Sequence, residues 1–113
     1  MILLILKYLM VAVTLVTGAI SIFWPSKIKG FTGLEASSPR ATSEIRAVMG
    51  GVFIGLAAAV VIFRTPEVFS MLGIAFAAIA LVRAISIVVD RAAVQSNIVS
   101  LISEVVMAVI LIL

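Results

Sequence analysis

A chain of 113 residues, 65% hydrophobic and only 12% charged, carries about half the charge fraction of an ordinary soluble domain. Its mean hydropathy of +1.42 exceeds what a soluble core of this length could hide, so bilayer lipid must solvate it. A net charge of +3 without basic clusters or interleaved aromatics speaks of loop orientation and anionic headgroups, not nucleic acid. The absence of cysteine and histidine excludes disulfides, thiolate chemistry, Fe–S clusters and zinc sites built on those residues. It also removes the usual axial ligand of haem or of a chlorophyll-type pigment. The five methionines read as filler of a membrane core, and no cofactor is expected.

The first apolar run, residues 2–24, suits one bilayer crossing. It has no basic leader, is too long for a signal peptide and is not followed by an A-x-A site, so it is expected to stay as a spanning helix. Lys7 can snorkel near its start. Tyr8 and Trp24 lie near opposite ends, where aromatic belts form. Residues 25–42 make the one long polar connection, basic through Lys27, Lys29 and Arg40. It reads as a solvated loop, with Phe31 and Leu34 placed to dip into the headgroup layer.

The second span, 39–63, follows Ser38 as N-cap and Pro39 as first-turn proline. Ser43, Ala47, Gly51, Gly55 and Ala59 recur at every fourth position. On an α-helix they share one face, and Gly51-xxx-Gly55 is a small-xxx-small pattern that lets a second helix approach closely. This face is expected to be the tightest packing surface of the bundle. Residues 64–67 form a tight turn, and 67–89 form the third span. A polar turn at Asp90-Arg91 precedes the fourth, 95–113, which is short and must tilt or thin the bilayer.

Short second and third connections imply antiparallel neighbours. The fold class is therefore all-α: an integral membrane bundle of four antiparallel transmembrane helices in one domain, 1–113. Let side A be the membrane face of Met1 and side B that of Trp24. Side B carries Lys27, Lys29, Arg40 and Arg91; side A carries Lys7 and Arg64. The positive-inside rule puts side B in the cytoplasm and both termini outside.

Charges inside the spans are costly and need partners. Arg83 lies seven residues before Asp90, about 10 Å into the bilayer from side B. Glu104 and Glu44 fall at similar depths on other helices, with Arg46 next to Glu44. Arg83 cannot shed its proton, so it should face the bundle interior with Glu104, Glu44 or both beside it. Ser86 and Asp90 continue the Arg83 face; Ser96 and Ser100 continue that of Glu104. The cluster is polar toward side B and apolar toward side A. The preferred reading is a polar lock that fixes which helices meet, and a proton or substrate site is the alternative.

At Glu44–Gly51, EIRAVMGG, the sequence resembles a family of small bacterial four-helix membrane proteins of unknown function. Its second span opens with Glu-x-Arg-Ala-x-x-Gly-Gly. The match falls on Glu44, Arg46, Ala47, Gly50 and Gly51. The resemblance extends to the FTGL of residues 31–34 and to Arg83, Ser86, Asp90 and Glu104. The family often has Tyr at the position of Met49, and Gly after the Asp where this chain has Arg91. The resemblance implies the topology and a location in the bacterial inner membrane, and brings no activity.

Small-residue faces, minimal loops and the lack of a nucleophile, metal set or phosphate loop favour a non-enzymatic role. The expected one is an accessory or stabilising subunit of a larger bacterial membrane complex, respiratory or photosynthetic assemblies included. Its partners would be membrane lipids and other transmembrane subunits. The alternative is a small oligomeric transporter or proton conductor using Arg83, Glu104 and Glu44.

Overall fold

The computed structural model describes residues 1–113, the side chain of Phe31 excepted. Four helices are long and apolar enough to cross a membrane: α1 (Ile2–Phe23), α2 (Pro39–Phe63), α3 (Pro66–Val89) and α4 (Gln95–Ile112). No strand occurs among the described residues. The architecture is the all-α, multi-pass arrangement expected of a small membrane protein.

The helix ends follow from local chemistry. Ser38 is extended, at φ −154° and ψ 161°, and its Oγ accepts a hydrogen bond from the Ala41 amide at 3.1 Å. Pro39 then takes the first helical position, where its missing N–H costs nothing. Thr65 and Pro66 repeat the device at the start of α3, with the Val68 amide donating to Thr65 Oγ1 at 3.4 Å. The third span therefore begins at Pro66, one residue before the expected start. Trp24 leaves helical geometry ahead of Pro25 and ends α1. Arg64 and Arg91 close α2 and the α3–α4 turn in the left-handed region, at φ 54° and 52°.

The connection after α1 is more ordered than a solvated loop. Pro25–Ile28 is a 3₁₀ turn and Lys29–Thr32 a single α turn, stopped by Gly33 at φ 74°. Ile28 is fully buried. Ile28 ties the first half of this segment to the bundle on side B, while Ser26, Lys27, Lys29 and Gly30 stay exposed.

The second span carries a local anomaly. Residues Ile45–Val52 are wound as a π-helix between the α-helical segments Pro39–Glu44 and Phe53–Phe63. Each turn there holds more residues than an α turn. Ile45 and Gly50, five apart, are both buried. Gly50 faces Gly18 of α1, and a Cβ added to Gly18 would lie 3.0 Å from the Gly50 carbonyl oxygen. A Cβ on Gly50 would fall 3.2 Å from the Gly18 oxygen and into the Ile22 side chain.

This overturns the expected packing face. Ser43, Ala47, Gly51 and Gly55 are exposed and Ala59 is only half-buried. A Cβ on Gly55 would meet nothing within 4 Å. The spacing argument assumed α winding throughout, and the π segment shifts the phase so that Gly50, not Gly51, meets the neighbour.

On α1 the inward face is Val11, Thr14, Gly18 and Ser21. Thr14 and Ser21 donate to the carbonyls of Met10 and Thr17, each at 2.9 Å, so their burial leaves no hydroxyl unsatisfied. The α3–α4 contact is close at Gly73, where a Cβ would lie 3.0 Å from that of Leu111 and 2.8 Å from Ile112 Cγ1. In lipid, helix pairs gain little from the hydrophobic effect, so close backbone approach of this kind supplies much of the attraction. The dry core, centred on Val60, Phe69, Leu72 and Leu111, fills the side A half. Tyr8 packs edge-on against Phe69 with centroids 5.3 Å apart. Lys7 Nζ lies 5.7 Å from the same ring, a cation–π placement.

Candidate functional site

The side B half of the bundle is built differently. Arg83, on α3, reaches across to α4. Its Nε donates to Glu104 Oε1 and its Nη2 to Glu104 Oε2, both at 2.7 Å. This fork-to-fork pairing is the strong form of an Arg–carboxylate contact. Nη1 donates to Asn97 Oδ1, also at 2.7 Å, and Asn97 Nδ2 donates to the Ala92 carbonyl at 3.0 Å. One N–H on each guanidinium nitrogen is thus engaged, along with both oxygens of Glu104. The Arg83 side chain keeps 30% of its exposure and Glu104 12%.

The residual exposure comes from a cleft of about 560 Å³ between the four helices. Thr17, Met49, Phe53, Ser100, Ser103 and the Arg83–Glu104 pair line it. Gly30, Thr32 and Ser96 stand at its side B end, and Phe76 and Met107 at its floor. Both floor residues belong to the buried core. The cleft is polar-walled toward side B and stopped by hydrocarbon toward side A.

Other charges expected in this layer are elsewhere. Glu44 lies on the outer face of α2 and pairs with Arg40 at 2.9 Å. Arg46 is exposed on the same helix. Depth along the membrane normal set their level, but the buried Ile45 fixes the rotation of this turn and points its neighbours outward. Asp90, exposed just past the end of α3, accepts from Ser86 at 2.5 Å and forms no ion pair with Arg83 among the described residues. Ser100 does line the cleft.

Asn97 is the residue that sequence reasoning passed over. Its signal was present: nearly two full turns before Glu104 on one helix, at i and i+7, it shares the same face.

No curated protein and no solved structure matches the chain. A family model described as a domain of unknown function (DUF4345) matches residues 2–113, and the chain therefore belongs to that family.

Proposed function

We propose that this is a non-enzymatic accessory protein that packs against other transmembrane helices in a larger complex of the bacterial inner membrane. The observation that carries this reading is the outward placement of Gly51 and Gly55. Glycine in a helix costs about 1 kcal/mol relative to alanine. At Gly55 no packing inside the molecule offsets that cost. A partner helix seated on the small-residue face would offset it. The Arg83–Glu104–Asn97 group fits a polar lock that holds α3 to α4. Basic residues concentrated on side B favour a cytoplasmic side B with both termini outside.

The test is purification in mild detergent followed by mass spectrometry of co-purifying chains. Wild-type protein should recover a specific set of membrane subunits, and Gly55→Leu should lose them while keeping its own thermal stability. Recovery of the same chains by Gly55→Leu would argue against this face.

A second reading, a small transporter or proton conductor, draws support from the polar groups gathered at the side B end of the cleft. Its difficulty is the hydrocarbon floor at Phe76 and Met107. Flux measured in proteoliposomes separates the two, since a helix-packing subunit alone would carry none.

A further inference from the structure

The outer corner where α1 ends and α2 begins holds a second polar cavity, of about 470 Å³. Trp24, Ser26, Lys29, Glu35, Thr42 and Arg46 line it. A shallower groove adjoins it, sharing Thr42 and Arg46 and continuing past Ile22, Ser43 and Ala47. Lys29 and Glu35 satisfy each other at 3.3 Å. Arg46 forms no ion pair among the described residues. Among the residues that line the cavity one positive charge is therefore uncompensated, beside an interfacial tryptophan and next to a groove of small side chains.

From this we infer that the corner seats an anionic phospholipid of the phosphatidylglycerol class. The charge balance selects the ligand. After the Lys29–Glu35 pair is set aside, Arg46 complements a single phosphodiester charge. A headgroup that adds its own ammonium would bring no further match. Guanidinium binds phosphate through paired N–H donors. Thr42 and Ser26 add hydroxyls for the glycerol oxygens. Trp24 marks the headgroup level. At and just below that level, Ser43 and Ala47 expose so little side chain on either side of Arg46 that the glycerol and upper acyl carbons can lie against the α2 backbone beside Ile22. This seat is independent of whether a partner helix covers Gly55.

The test places the full chain in nanodiscs of equimolar phosphatidylglycerol and phosphatidylcholine, extracts it, and counts retained lipids by native mass spectrometry. Wild-type protein should retain phosphatidylglycerol with about tenfold preference, the worth of one charge-assisted contact. Arg46→Gln should bring the ratio close to parity, and Arg46→Lys should keep part of the preference. Arg91→Gln removes an equal charge, unpaired among the described residues, from side B outside the cavity and should leave the ratio unchanged. Ala47→Leu fills the groove with the cation intact and should weaken retention. Chain-free glycerophosphoglycerol in excess should not displace the lipid. Parity in the wild type, which needs no variant to fold, would overturn the assignment. So would equal losses in Arg91→Gln and Arg46→Gln, which would mean diffuse surface charge. Full displacement by the chain-free headgroup would reduce the site to a phosphate site and end the lipid reading.

Discussion

Gly50 of α2 lies against Gly18 of α1 so closely that a methyl group on either would collide with the opposite helix. Gly50→Ala should therefore destabilise the protein by about 1–3 kcal/mol, the usual cost of overpacking, and Gly50→Leu by more. Gly55→Leu should change the stability of the isolated protein little. Thermal unfolding in detergent compares the three. Tolerance of Gly50→Leu would mean that α1 and α2 separate more readily than this contact implies.

Arg83 and Glu104 should be coupled. Glu104→Leu strands a guanidinium in the membrane, whereas Arg83→Leu leaves a carboxyl that can take up a proton. Glu104→Leu is thus expected to be the more damaging single change, and the double Leu variant to recover part of the loss. A double-mutant cycle should return a coupling of about 1–3 kcal/mol. Additive losses would show that the pair contributes nothing beyond its separate side chains.

Asn97→Ala should cost about 1 kcal/mol by removing the third anchor of Arg83 and the tie to the Ala92 carbonyl. In an Arg83→Leu background much of that penalty should vanish, because one of the two bonds is already gone. Hydrogen exchange across residues 90–96 should quicken in Asn97→Ala. An unchanged exchange rate there would separate Asn97 from the order of the turn.

Arg91 occupies the left-handed region that glycine enters without a steric penalty. Arg91→Gly should raise stability by up to about 1 kcal/mol, read as a higher melting temperature. A fall would show that the Arg91 side chain supplies more than its backbone strain removes.

The proposed topology predicts an active alkaline phosphatase fused to the C-terminus and a dark green fluorescent protein at the same place. The opposite pair of results would reverse the orientation. The Arg91→Gly variant, which removes one of the side B charges, should narrow the bias.

The four spans were legible because apolar run length and proline punctuation act locally. Ser38–Pro39 announced the start of the second span in two residues, whereas Thr65–Pro66, read as part of a turn, caps the third. The Arg83–Glu104 contact was also within reach of sequence, since depth and the cost of an isolated cation left few partners. Rotation about the helix axis was not. Glu44 has the right depth and the wrong azimuth. Gly51 carries a small-xxx-small pattern, yet its neighbour Gly50 makes the contact. Nothing local in EIRAVMGG shows that its backbone is π-wound, because that winding is selected by how Ile45 and Gly50 fit against α1. Likewise Ile28 is buried by the bundle above it, which no property of the PSKI tetrapeptide foretells.

The π-wound turns make α2 a rod with two independent azimuths. Below Val52, Ala57 and Val60 aim at the dry core; above it, Arg46 and Glu44 aim at the membrane surroundings. An insertion or deletion of one residue between Ile45 and Val52 that the winding did not absorb would swing the upper segment by about 100° relative to the lower. Such a change would alter what the protein shows to its surroundings while leaving the core sequence untouched. Insertions and deletions in this octapeptide, more than substitutions, are the steps by which relatives could re-aim their outward chemistry on a constant bundle.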